Sequence, residues 1–149
     1  MQPTTFFKEA QAAGAIPQTA RLQSSYQFGD EADQLAQLII AGEKTATTSL
    51  YELYEKDGDE LPTKHAYDVI LDGRQQPVAI IKNDDIQVVD YLAVDAAHAF
   101  AEGEGDRTLQ AWRTAHDRFF AEECQAEGLQ FDPATARAVL ETFHVVYVR

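Results

Sequence analysis

The sequence predicts an α+β domain in which a curved or closed sheet is flanked by helices. Three observations carry that expectation: stretches with apolar residues at spacings of three and four, several short apolar runs bounded by turn residues, and no regular alternation of strand with helix. At 149 residues one domain is expected. A chain of this length buries roughly 68–70% of its unfolded surface, enough for a sizeable core.

In chain order, PTTFFKEAQAA from Pro3 to Ala13 spaces its apolar residues as a short amphipathic helix, and Gly14 with Pro17 ends it. The stretch on to Phe28 is expected to be a loop, so that residues 1–28 make a helical extension ahead of the main body. Gly29 and Asp30 open a clearer helix. Asp30 is placed to cap it, Glu31 and Asp33 complement the positive end of its dipole, and Leu35, Leu38 and Ile39 form its apolar stripe. Gly42 stops it as a left-handed cap. KTATTSLYELY then suits a turn leading into a strand or a short bent segment. Gly58 to Pro62 reads as a loop.

Tyr67 to Leu71 is a short strand closed by the hairpin pair Asp72 and Gly73, and Pro77 to about Lys82 returns beside it. Asn83 to Asp85 turn the chain again, and Ile86 to Val89 form a third strand. Asp95 caps a short helix, AAHAFAE, that stops at Gly103. After a polar loop from Glu102 to Thr108, Asp106 or Thr108 caps the longest helix. Leu109, Trp112, His116, Phe119, Phe120 and Glu123 give that helix its mostly apolar stripe, which favours core packing for Trp112, and Gly128 ends it. Ala138 to Arg149 is a final strand rich in Val and aromatic residues.

The chain carries 12 Lys plus Arg against 25 Asp plus Glu, a formal net charge of −13. Non-specific nucleic-acid binding draws its affinity from many cationic contacts to phosphates, so general duplex binding is not expected. A local basic site remains open through Lys44, Lys64, Lys82, Arg107 and Arg113. No apolar run approaches the ~18 residues of a membrane span. The opening MQPTTFFKEA lacks a basic segment followed by an apolar one, so a cytoplasmic protein without a membrane partner is expected. The single cysteine, Cys124, cannot form an internal disulfide and reads as a small helix residue.

His65, His98, His116 and His144 lack the short spacing of a zinc site, and no nucleophile elbow, P-loop or dinucleotide fingerprint occurs, so neither metal nor cofactor is expected. His98 and Glu102, at i and i+4, read as a surface pair. What remains is GEKTATTS from Gly42 to Ser49, in which four hydroxyl residues follow Lys44. A turn there would bring Lys44 to Thr47. An amine in a pocket that disfavours its charge can then act as general base for a threonine nucleophile. A Thr-rich segment after a helix can equally begin an ordinary strand, so spacing alone leaves both open.

GEKTATTS after an amphipathic helix, then a meander, then AEGEGDRTLQAWRTAHDRFF and an aromatic last strand resembles the ASCH domain family of the PUA-like superfamily, over about Gly29 to Arg149. The resemblance rests on the elements G-x-K-T-x-T and E-G-E-G-D-R-[ST], in that order. It implies a small β-barrel ringed by helices, with a cleft suited to a nucleoside or short single-stranded RNA. The small bacterial N4-acetylcytidine amidohydrolases of that family are similar in the same two elements. This similarity implies Lys44 as base, Thr47 as nucleophile and Glu104 as the group that assists the leaving nitrogen, with backbone N–H groups near Thr45 or the protonated Lys44 as oxyanion donors. Those enzymes are shorter and carry an arginine where this chain has Ser49, which removes a charged contact to substrate. The longer members, nearer this chain in size, imply RNA binding and ribonuclease activity. There Lys44 would serve a phosphate or a 2′-hydroxyl, and Tyr51, Tyr54, Tyr67 or Trp112 would stack bases. Arg107 would orient Glu104 or a substrate carbonyl, and Asp106 complements a helix dipole. A non-catalytic nucleobase sensor using the same cleft is the third expectation. The expected set is therefore Lys44, Thr47 and Glu104 for chemistry, with Thr45, Ser49, Tyr67 and Arg107 for substrate binding.

Overall fold

The computed structural model of the chain describes residues 1–29 and 31–149. Its first helix, α1 (Pro3–Ala12), places Pro3 at the first turn, where a missing N–H leaves no helical hydrogen bond unmade. Phe6, Phe7 and Ala10 bury against Val69 and Ile80 of the sheet. The expected loop before Phe28 is instead largely a strand, β1 (Leu22–Gln27), parallel to β3 (Tyr67–Leu71). LQSSYQ shows no apolar alternation because β1 is an edge strand with mostly exposed side chains; its pairing partner, not its propensity, makes it a strand.

The second helix, α2 (Ala32–Ile40), has Asp33 in its first turn, and the expected cap Asp30 lies outside the described residues. Gly42 takes φ +77°, with its N–H donating to Ile39 and the Glu43 N–H donating to Leu38, the paired bonds of a Schellman ending. The Thr-rich segment becomes β2 (Ala46–Leu50) followed by a helix, α3 (Tyr51–Asp57), that replaces the expected bend.

The expected three-strand meander is two strands. β4 runs unbroken over Pro77–Asp90, and the NDD triplet at 83–85 is an irregularity in the ladder rather than a turn. Asn83 faces Phe143 and Asp85 faces Thr142, so Asp84 is the extra residue of a bulge. Turn-type residues are tolerated there because the neighbouring strand satisfies the backbone on either side. The β3–β4 connection also differs from a two-residue hairpin. The Asp72 carboxylate accepts the Arg74 and Gln76 N–H groups, and Gln75, not Gly73, takes the left-handed conformation at φ +60°.

A 3-10 turn (Tyr91–Ala93) leads to α4 (Ala96–Glu102), capped by Asp95, and to α5 (Leu109–Ala126), capped by Thr108. β5 (Arg137–Val148) closes the order β1-β3-β4-β5-β2, in which every pairing except β1–β3 is antiparallel. Three apolar clusters hold helices to the sheet. Phe6 and Phe7 anchor α1, Ala36 and Ile39 anchor α2 over Ile70, Ile81 and Phe143, and Trp112, Phe120 and Cys124 anchor α5 beside Tyr91. No helix among the described residues is long and apolar enough to cross a membrane.

Candidate functional site

Strand alternation sorts the side chains of β2. Ala46, Thr48 and Leu50 turn inward to the helices, while Thr47 and Ser49 are half-buried and line a cleft of about 660 Å³. The two edge strands of the sheet flank this cleft, β1 with Gln23, Ser24 and Tyr26, and β2 with the two hydroxyl residues. Asp68 of β3 and Glu141 of β5 also face it, and Phe28, Tyr54 and the segment 59–63 complete the described lining.

Glu141 stands directly across the ladder from Thr47, so the two side chains share a face. It is only 7% exposed, and its carboxyl has no hydrogen-bond partner among the described residues. Burial and the neighbouring charge of Asp68 push it up to about 7. Asp68 is satisfied by Gln23 and Ser24, whose hydroxyl lies 2.7 Å from Oδ1. Burial raises its carboxyl too, against the lowering effect of those bonds. The phenol of Tyr26 is raised well above its usual value by burial and by Glu141.

Lys44 lies beside this cleft in a buried ion cluster. The Schellman ending of α2 delivers it: the Lys44 N–H also donates to Leu38, and the Thr45 N–H donates to Ala101 of α4. Only 1% exposed, Lys44 donates through Nζ to Ala46 O at 2.9 Å, Glu102 O at 3.3 Å and Glu104 Oε2 at 2.7 Å. All three ammonium donors therefore have partners. Its Nζ also sits 5.3 Å from the centre of the Phe28 ring, so Phe28 is shared between cluster and cleft.

At the centre of the cluster is Glu102, which is no surface residue but 1% exposed. Its Oε2 accepts from the Thr48 hydroxyl and the Trp112 indole, each at 2.6 Å, with His98 Nε2 at 3.2 Å. Lys44 and His116 face Oε1 at 3.6 and 3.5 Å. Burial pushes this carboxyl up, but hydrogen bonds from His116 and His98 and the charge of Lys44 outweigh it and hold the group well below the usual glutamate value. Trp112 is thus both core and a fixed donor to a buried carboxylate.

The structure brings Lys44 and Glu104 together and puts Thr47 and Ser49 side by side in the cleft. Lys44 and Thr47 make no hydrogen bond, because β2 begins at Ala46 and the expected turn between them does not form. Thr45 is held outside the cleft by bonds from its hydroxyl and its N–H to Ala101. Tyr67 packs edge-on against Phe7, since alternation along β3 sends it to the α1 side and Asp68 to the cleft. Arg107 lies over the Phe100 ring at 3.7 Å and donates to the carbonyls of Phe100 and Glu43, away from the cleft. No group of three or more His, Cys, Asp or Glu among the described residues is arranged to hold a metal ion.

Sequence reasoning missed Asp68, Glu102 and Glu141. A signal existed for one of them: Glu141 interrupts AVLETFHVV, where a strand otherwise fit for burial carries an ionisable side chain in alternation with buried Val139 and Phe143.

The ASCH domain family matches the chain over residues 24–147. A crystal structure of an ASCH domain from Lactobacillus crispatus is 31% identical with a TM-score of 0.86, covering 99% of this chain and 96% of that one. A crystal structure of a protein from Enterococcus faecalis is 32% identical with a TM-score of 0.83, covering 98% of this chain and 93% of that one. No curated protein matches.

Proposed function

The chain belongs to the ASCH domain family, and on that premise we propose that its cleft seats a small modified pyrimidine nucleoside whose amide the adjoining residues hydrolyse. Membership carries a family-level association with RNA or nucleotide binding, and the lining of the cleft narrows it. The observation that carries the proposal is the composition of that lining: the hydroxyls of Thr47 and Ser49, the rings of Tyr26, Phe28 and Tyr54, the carboxyls of Asp59, Glu60, Asp68 and Glu141, and no Lys, Arg or His among the described residues. A polyanionic strand finds no cation there to hold its phosphates. A neutral nucleoside finds aromatic walls to stack on and a volume of ordinary ligand size.

In this proposal the Lys44 proton passes to Glu104 across their 2.7 Å contact, leaving an amine. The Thr47 hydroxyl attacks the amide carbonyl carbon and gives its proton to Lys44. Glu104 lines a separate pocket with Leu38, Trp112 and His116, so it acts through Lys44. As the C–N bond breaks, Lys44 passes the proton taken from Thr47 to the departing amine, Glu104 returns its own proton to Lys44, and water then releases the acyl group from Thr47. For Lys44 to reach Thr47 its Nζ must leave the Ala46 carbonyl. The test is release of cytidine from N4-acetylcytidine with chelator present, beside Lys44→Ala and Thr47→Ala. Turnover that both substitutions abolish is expected. No release by the unaltered protein overturns the amidohydrolase proposal, and single-stranded RNA binding that weakens steeply with salt would put the RNA alternative in its place.

A further inference from the structure

The cleft holds a largely buried carboxyl that the proposed hydrolysis does not use and that no described residue satisfies. Glu141 is more than nine-tenths buried, faces the cavity from β5, and has no hydrogen-bond partner among the described residues. The carboxyl opens on the cleft, so its donors must come from what the cleft holds, and a largely buried carboxyl without protein donors is costly until a ligand supplies them. Two of its neighbours are engaged elsewhere. Asp68 is itself a carboxyl already engaged with Gln23 and Ser24, and the Tyr54 hydroxyl lies 2.9 Å from Ser49. The missing partners are donors, and the space they must occupy is walled by Tyr26, Phe28 and Tyr54.

We propose that Glu141 is the specificity-determining group of the cleft, and that it receives a planar ring presenting two adjacent N–H donors on one edge. A carboxylate has two oxygens that accept two parallel N–H bonds, the fork geometry that makes charge-assisted pairs short and strong. Two sources share that edge. A guanine base offers it in the neutral state, and a cytosine base offers it once its ring nitrogen is protonated. A uracil edge, with one N–H between two carbonyls, places an acceptor against one carboxylate oxygen and is rejected. Asp68 behind Glu141 adds negative potential that favours a donor-rich or cationic ring. Because burial and Asp68 raise the Glu141 carboxyl to about 7, it can also supply the shared proton to a cytosine edge at neutral pH. This inference rests on the nucleoside assignment of the cleft and adds to it the edge by which the base is read.

The experiment is isothermal titration of the full chain and of Glu141→Gln with guanosine, cytidine, uridine and benzamidine, the last a planar amidinium without a sugar. Guanosine or cytidine is expected to bind about tenfold or more tightly than uridine, and Glu141→Gln is expected to erase that ratio. If cytidine leads, both the edge recognition and the pyrimidine assignment stand; if guanosine leads, the edge recognition stands and the pyrimidine assignment falls. If benzamidine alone binds, and loses binding in Glu141→Gln, the edge recognition stands and the nucleoside assignment falls. If uridine binds as well as the others, or Glu141→Gln leaves the ratio intact, the inference is overturned while the nucleoside assignment survives. If none of the four binds, both fall. Thermal melts of Glu141→Gln separate lost recognition from lost folding.

Discussion

Glu102 and Glu141 are both buried glutamates, and their surroundings drive their carboxyls in opposite directions. Glu102 is encircled by donors, so it stays ionised and the cluster around it behaves as one unit. Lys44→Ala removes the cation and leaves Glu102 short of charge compensation. A loss on the order of 3 kcal/mol of stability is expected in chemical denaturation, so inactivity of that variant must be read beside its melting curve. Thr47→Ala, by contrast, truncates a half-buried hydroxyl at the cleft wall and is expected to leave stability within about 1 kcal/mol, measured the same way. Glu141 carries the opposite sign. Its folded value of about 7 lies above the ordinary glutamate value of 4.5. Between those pH values the folded protein holds a proton that the unfolded chain has released, so stability falls as pH rises through that window and levels off above it. Glu141→Gln is therefore expected to melt at a higher temperature than the parent at pH 8, by up to about 3 kcal/mol of stability, and to differ little at pH 5. Residue type alone pointed to Thr47 and Ser49, which line the cleft, and to Lys44 and Glu104, which meet in the ion cluster beside it. Glu102 was hidden because an i,i+4 pair with His98 looks like a solvated helix face until tertiary packing covers it.

At the scale of elements, the segments that sequence placed well are those with their own signal. α2 and α5 have apolar stripes, Asp95 and Thr108 are capping residues, and β3 and β5 are apolar runs. β1 was illegible because an exposed edge strand needs no apolar face, and α3 because YELYEKD follows directly on a strand without an intervening breaker. β4 read as two strands because a bulge and a turn use the same polar residues. Two glycines with the same backbone sign separate local strain from packing. Gly58 ends α3 at φ +67° with open space where a Cβ would lie, whereas Gly103 ends α4 at φ +71° with that position in collision with the Glu43 carbonyl oxygen. Gly58→Ala is expected to cost about 1 kcal/mol. Gly103→Ala is expected to cost on the order of 3 kcal/mol, because the backbone that carries Glu43 and Lys44 must move as well. Urea unfolding of both variants checks the contrast.

Across the whole molecule, α1 is fastened to the sheet by fully buried Phe6, so Phe6→Ala is expected to cost about 3 kcal/mol or more in the same measurement. The strands that make the cleft meet differently. Thr47 and Thr48 of β2 pair with Glu141 and Leu140 of β5, residues from distant parts of the chain, whereas β3 and β4 are joined by a short loop. The chain must search a large conformational volume before β2 finds β5, and such distant pairings slow folding toward milliseconds or longer. That search is also what sets Thr47 opposite Glu141. In a refolding experiment the capacity to bind a ligand is therefore expected to emerge with the slowest phase, after circular dichroism has already registered the helices and the β3–β4 hairpin.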